Sequence, residues 1–394
     1  MRPDLTRIVD RYQNDIVSFT RRLVQTRSLH GQEQDVAALV QAEMEKLGYD
    51  RVWRDDSGNV IGVVRGAEGG RSILLNNHMD HADAGDEGQW QHPPFAAVTA
   101  NDFIWGRGAC DGKGALAVQV YAPVMARQAA PPPRGDVTVT SVVLEERGGW
   151  GAERLATQLK ADYAIVGQPT RNELRAGHRG RMELVARFAG RSVHASVPAR
   201  GANPHFAMAR FLTRLRDLRM MSNAELGYST VSPTTVASDQ TSTNVTPGEL
   251  RLTLDWRNIP NEKPAQVMAK VQQLLDDCAE PGVRATIEIA RTSLRTYTGI
   301  SEMQQIIHPG YYLPESDPLV SAARSILAGA LQREIELGTW SFATDAGHLM
   351  AAGIPTIGFA PGEEGFAHTV QERVAIAQLR EAAVGYVALL ATLT

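Results

Sequence analysis

The chain of 394 residues exceeds one ordinary domain and falls short of three. Hydrophobic residues make up 43% and charged residues 21%, and 40 Lys and Arg against 44 Asp and Glu leave a net charge of −4, which excludes nucleic acid and an anionic membrane as main partners. Two cysteines, Cys110 and Cys278, exclude a disulfide framework, and a charged N-terminal stretch with no run of about 18 apolar residues predicts a cytoplasmic chain without signal peptide or membrane span.

Ile8, Tyr12, Ile16, Phe19 and Leu23 recur at three- and four-residue spacing and predict a first helix. A second is predicted over 34–47, ending at Gly48. Ile73 to Leu75 reads as a strand, 113–129 as a helix, Val137 to Leu144 as a strand, 151–160 as a helix and Tyr163 to Val166 as a strand. That alternation predicts an α/β domain whose central sheet is mostly parallel and flanked by helices. After Gly177 the rhythm changes. A strand over 182–188, a helix over 204–218, strands near 233–238 and 249–256, a helix over 263–277 and a strand over 285–291 give the β-α-β-β-α-β order of a ferredoxin-like α+β domain. From about 296 the α/β character returns, with a helix over 318–332, a strand from Ile354 to Phe359 and a last helix from about 371. The expected architecture is a catalytic domain of residues 1–177 and 296–394, interrupted by an inserted domain of 178–295.

Chemistry-bearing residues collect at predicted strand exits, where open α/β sheets carry their sites. His78 and Asp80 stand two apart just past a strand, as a metal ligand and its hydrogen-bonded orienter would, or as an ordinary polar loop. Asp111, in IWGRGACDGKG, precedes a helix: it reads either as a cap or as a carboxylate able to bridge two cations. Lys113 is followed by Gly114, so the segment does not match a phosphate-binding loop. Glu145 and Glu146 close an apolar strand, and the alternation of side chains would send them to different tasks, one to a metal and one to a water. The strand exit VGQPT around Gln168 and the segment FAHTVQE around His368 complete five groups. Cys110 has no Cys-His motif beside it and reads as a small packed residue. Trp90, Trp105 and Trp340 read as core residues or as walls of an aromatic pocket.

In order and context, HMDHADAGD, HPPF with IWGRGACDGKG, LEERGGWGAE, VGQPT with AGHRGR, SVHASVP with GAN, and FAHTVQE resemble the co-catalytic metallohydrolases of the aminoacylase, acetylornithine deacetylase, succinyl-diaminopimelate desuccinylase and glutamate carboxypeptidase family. The resemblance runs over essentially the whole chain. It implies that His78 binds one metal with Asp80 orienting it, that Asp111 bridges two metals, and that Glu146 and His368 hold the second. Glu145 is then the general base. Zn²⁺, Mn²⁺ and Co²⁺ all suit such ligands. The resemblance also implies a homodimer formed through the inserted lid domain, with His194 of one subunit stabilising the oxyanion in the other. Asn244 in TSTNVTP and Arg257 in LDWRNIP resemble substrate-contacting positions, Arg257 being equally suited to a salt bridge. His81 follows Asp80 as a substrate contact or a second-layer hydrogen bond. Thr344-Asp345 matches a family segment with no role attached.

Gln168 departs from the pattern, which has a glutamate or aspartate there as the remaining ligand of the His78 metal. An amide brings no charge. The His78 site then either binds weakly and leaves one catalytic metal, or binds through the amide and tunes the bound water, or belongs to an inactive relative. The function implied is metal-dependent hydrolysis of a C–N bond in a small carboxylate-bearing molecule, an N-acyl amino acid or short peptide. Hydrolytic deamination of a non-peptide molecule, such as an aromatic amine or an amidine, with the same apparatus is the alternative. A non-catalytic metal-binding protein is a third reading, against which Glu145 stands.

Overall fold

The computed structural model describes residues 3–67 and 69–394. Among the described residues, a nine-stranded mixed sheet forms the centre, in the order Arg51–Arg54, Val60–Val64, Val137–Val142, Ile73–His78, Tyr163–Val166, Thr356–Gly358, Leu174–His178 and Tyr311–Tyr312, with Leu337–Trp340 also paired to Leu174–His178. Val137–Val142, Ile73–His78, Tyr163–Val166 and Thr356–Gly358 run parallel to one another; the first three strands of the order pair antiparallel, as does Leu174–His178 with Thr356–Gly358 and with the Tyr311–Tyr312 edge. Strands buried on both faces read as continuous apolar runs, which is why Ile73-Leu74-Leu75 was legible. Ile73 and Leu75 enter one core with the helices Pro3–Gln25, Gln34–Lys46, Gly114–Ala126, Pro318–Leu331 and Ile376–Leu393. Leu74 points to the opposite face, toward Trp340, Ala346 and Leu349. Helix Ile376–Leu393 is long and apolar enough by length and mean composition to cross a bilayer, but Arg380 and Glu381 interrupt its apolar run, as expected, and most of it is buried inside this core. Its charges, Arg380 and Glu381, are spent on Asp10, Asn172 and Arg333.

A second sheet joins Thr230–Ser238, Glu249–Arg257, Arg181–Ala189 and Arg284–Ile289, all antiparallel, with Ile307–His308 added to Arg181–Ala189. Alternation places Met182, Leu184, Ala186 and Phe188 under the helices Pro204–Arg216 and Pro264–Asp277, in a core of their own with Trp256. The edge strand Thr230–Ser238 is exposed along almost its whole length.

Several boundaries differ from expectation, for example the helix expected over 151–160, which is Trp150–Ala156, and the strand expected from Ile354 to Phe359, which is Thr356–Gly358. The last helix starts at Ile376 rather than 371 because Arg373–Ala375 pairs as a strand with Phe103–Trp105. The strand expected over 285–291 breaks at Ala290, after which Arg291–Arg295 forms a hairpin with Ser301–Gln305. The strand from Val137 stops at Val142, two residues before Leu144, and the turn that ends it shapes the site.

Candidate metal centre

Strand Ile73–His78 lies between Val137–Val142 and Tyr163–Val166, with His78 opposite Val142 and Asn76 opposite Val166. Continuing the second register by two residues sets Gln168 beside His78. Three neighbouring parallel strands therefore deliver His78, the Glu145–Glu146 turn and Gln168 to one mouth of the sheet. Leu144 adopts φ 58°, a left-handed conformation costly for a branched side chain, and it turns the strand into the single helical turn Glu145–Arg147. The two glutamates diverge because of that turn, not because of strand alternation. Glu145 points inward to Gln168, while Glu146 points to His368.

Asp111 comes from the loop ahead of Gly114–Ala126 and makes no capping bond there. Its Oδ1 lies 3.2 Å from His78 Nε2 and its Oδ2 3.3 Å from His368 Nε2, so one carboxylate stands between two imidazoles. His368 Nε2 is also 2.9 Å from Glu146 Oε1. Among the described residues, Asp111, Glu146 and His368 form the one group of three acidic, histidine or cysteine side chains whose ligand atoms fall within 4.8 Å of one another. Glycine is needed at 112, since a Cβ would stand 2.8 Å from Asn77 Oδ1 and 3.0 Å from His78 Nε2.

Asp80 ties the mouth together. Its Oδ1 accepts the Glu145 N–H and its Oδ2 the Glu146 N–H, each at 3.1 Å. His78 Nδ1 sits 3.1 Å from the Asp80 carbonyl and 3.4 Å from its carboxylate, so the carbonyl is the closer orienting partner. Holding Nδ1 this way leaves Nε2 free to face a cation. Burial pushes the Glu145 carboxyl well above its usual range, partly offset by His78 and reinforced by Asp345 and Glu146. Hydrogen bonds to Asp111 and Glu146 raise His368 to about 10. Burial would raise Asp111, but His368 and His78 together hold it well below the usual carboxylate range. Gln168, 3% exposed, donates from Nε2 to Glu145 Oε1 at 3.3 Å, and its buried Oε1 has no protein partner. Clustered imidazole and carboxylate donors, with an orphaned amide oxygen alongside, fit divalent cations.

Two supporting residues carry no role in the sequence reading. Glu372, in FAHTVQE, accepts the N–H groups of Cys110 and Asp111, each at 3.1 Å, and pairs with Arg107 at 2.6 Å. Burial lifts its carboxyl to about 7 against the opposing Arg107 charge. Its position inside a recognised motif was the available signal. Glu33, fully buried, accepts the Leu144 N–H at 3.2 Å, and nothing in the local sequence pointed to it.

His81 lies outside the reactive mouth: Nε2 accepts the Ser28 N–H at 2.9 Å and Nδ1 bonds the Ala82 carbonyl at 2.8 Å, leaving neither nitrogen for a substrate. His194 is exposed, with Nδ1 bonded to Ser196, and it bridges Val245 beside Asn244. Arg257 pairs with Asp255 at 2.6 Å. None of these three touches the Asp111 cluster by hydrogen bond or ion pair among the described residues. Trp90, Trp105 and Trp340 are buried, each donating to a backbone carbonyl. Cys110 is buried and donates to the Glu363 carbonyl, and burial pushes its thiol up. Lys113 is buried with Nζ on the Thr26 carbonyl. Asp345 accepts from Asn76 at 2.9 Å, and its charge helps to raise the Glu145 carboxyl.

Residues 74–392 match the model of a family described as peptidase family M20/M25/M40. An uncharacterized protein, YgeY, of Escherichia coli is 27% identical over 384 residues, covering 96% of this chain and 94% of that one. A succinyl-diaminopimelate desuccinylase of Paracoccus denitrificans is 28% identical over 387 residues, covering 94% and 96%. The crystal structure of aminopeptidase PepT from Bacillus cereus superposes with a TM-score of 0.76 at 22% identity, covering 96% and 98%, and shares the fold.

Proposed function

Because the chain belongs to peptidase family M20/M25/M40, we propose that it hydrolyses the amide of an N-acyl amino acid or short peptide bearing a carboxylate. It is a hydrolase acting on C–N bonds; the acyl-amide substrate class rests on the relative named succinyl-diaminopimelate desuccinylase. Asp111, Glu146 and His368 would hold one cation, and His78 with Asp111 and Gln168 a second, drawn from Zn²⁺, Mn²⁺ or Co²⁺. When bound, such cations supply Lewis acidity and lower the pKa of water. The chain's own residues do the rest. Glu145 takes the proton of the attacking water and passes it to the leaving nitrogen, a task that suits a buried carboxyl raised above its usual range. Asp80 keeps that turn in register through its two backbone hydrogen bonds.

We assign residues 178–295 to a lid that pairs two copies of the chain as a cytoplasmic homodimer. The exposed edge strand Thr230–Ser238 supports this, because unpaired edges seek a partner. His194 would then serve the oxyanion of the other subunit's site. Arg257, released from Asp255, and Asn244 would meet the substrate carboxylate.

The observation that carries the reading is Glu145 held beside, but outside, the Asp111–Glu146–His368 group. Glu145→Gln removes the base and should lower kcat by about 10²–10⁴ while leaving metal content unchanged. Full hydrolysis of N-acyl amino acids by that variant would remove Glu145 from the role of base, and a biological activity that persists although hydrolysis is lost would return the chain to a binding protein. Ammonia release without a carboxylic acid product would move it to hydrolytic deamination.

A further inference from the structure

We propose that Gln168 makes the two cation positions unequal: a tight one at Asp111, Glu146 and His368, and a weak one at His78, where the amide oxygen of Gln168 is the third donor and its amide nitrogen tethers Glu145. The proposal rests on the metallohydrolase reading above and deepens it.

The two parallel strands are in register up to Asn76 opposite Val166, and His78 and Gln168 each follow two residues later at the sheet mouth. Its side chain is nine-tenths buried and more, so both ends of the amide need partners. The nitrogen has one, Glu145 Oε1 at 3.3 Å. The oxygen has none. The His78 imidazole and the Asp111 carboxylate, 3.2 Å apart, are cation donors at the same mouth, and an amide oxygen is a competent neutral donor to an ion held there. A cation at His78 would therefore complete the hydrogen-bonding account of Gln168.

Charge then separates the two positions. A cation held at His368 would have two carboxylates beside it, Asp111 and Glu146. A cation held at His78 would have one, and it is shared. One formal negative charge fewer at coordinating distance, at a buried position such as His78, lowers affinity by about a hundredfold. The neutral amide also spares Glu145 a second carboxylate at hydrogen-bonding distance. One side chain thus trades cation affinity for a fixed base.

The test is titration of the metal-free full-length chain with Mn²⁺, free ion being counted by electron paramagnetic resonance. The parent should bind one equivalent tightly and a second about a hundredfold more weakly. Gln168→Glu should tighten the second to within about tenfold of the first and, by setting a carboxylate against Glu145, lower kcat at saturating metal. Gln168→Asp, which shortens the arm, gives the same comparison if Gln168→Glu does not fold. Gln168→Met, lacking both oxygen and nitrogen, should weaken the second equivalent further still. Two parent sites of equal affinity, or a second affinity indifferent to the glutamate, overturn the proposal alone. No binding at any Mn²⁺ concentration overturns the metallohydrolase reading with it.

Discussion

Replacing Glu372 by glutamine removes one charge from an ion pair that solvent does not reach. Arg107 is 3% exposed and Glu372 fully buried, with 2.6 Å between Nη1 and Oε2. Among the described residues the Arg107 Nε lacks a hydrogen-bond partner and no acid other than Glu372 lies within 4.0 Å of the guanidinium, which Trp90 covers at 5.0 Å. Removing one member of a buried pair leaves the other charge uncompensated at a cost of about 3–5 kcal/mol; glutamine retains one acceptor oxygen, which sets the expectation near the lower end, about 3 kcal/mol. The second consequence is local. Glu372 Oε1 accepts the N–H groups of Cys110 and Asp111, so the carboxylate anchors the backbone that presents Asp111 to both imidazoles. Weakening an outer support of this kind costs about 10–100-fold in metal affinity. Urea unfolding followed by tryptophan fluorescence, on Glu372→Gln, Arg107→Met and the double variant, gives the stability arm. The double should cost less than the sum of the singles by about 2 kcal/mol, because it strands no charge. Mn²⁺ titration of folded Glu372→Gln gives the second arm. Stability within about 1 kcal/mol of the parent, together with unaltered metal affinity, would refute the reasoning and show that the Asp111 loop holds its own shape.

Asp80→Asn should lower kcat about 10–100-fold with little change in KM, since one of its two accepting oxygens becomes an N–H₂ group facing a backbone N–H; an unchanged kcat would remove Asp80 from the positioning of Glu145. Mixing inactive His194→Ala with inactive Glu145→Gln and allowing subunits to exchange should restore activity, because one composite site of each mixed dimer is intact; no recovery would mean that His194 does not act across an interface. His178 supplies the pH prediction. Burial holds its imidazole at about 4, and Nε2 accepts the Thr344 N–H, so the folded chain keeps it neutral. With the folded value below the unfolded 6.5, the unfolded chain takes up the extra proton first; the stabilisation is complete above about pH 6.5 and is lost as pH falls toward 4, by roughly 3 kcal/mol. His178→Gln should flatten that acid slope in urea-unfolding midpoints, and identical slopes in parent and variant would sink the assignment.

The elements most legible in the sequence are those whose partners are dictated by periodicity. The stripe from Ile8 to Leu23 reports a helix face directly, and it is the face that is buried. The β-α-β-β-α-β order over 182–291 anticipated an antiparallel sheet under two helices because each strand alternates so clearly. Short strands resisted. Leu174–His178 and Leu337–Trp340 have four or five residues with glycine and polar side chains, and only their neighbours across the sheet make them strands. Helix Ile376–Leu393 shows the reverse: its composition would suit a bilayer, and only the helices packed around it make it a core element.

The site was legible as a set of residue types and far less so as geometry. Each of His78, Asp111, Glu146 and His368 sits in a recognisable motif, yet the carboxylate of Asp111 reaches both imidazoles only because Gly112 leaves room for His78 and Glu372 holds the backbone. The separation of Glu145 from Glu146 is a backbone matter as well. Left-handed Leu144, with its N–H held by Glu33 more than a hundred residues away in sequence, converts two adjacent acids into an inward base and an outward ligand. His81 makes the complementary point. It has the chemistry of a ligand and the sequence position of one, but Ser28 and Ala82 claim both ring nitrogens. Residue type nominates a ligand; whether its lone pairs remain unclaimed by the backbone decides it, and that is a property of tertiary contacts that no local motif encodes.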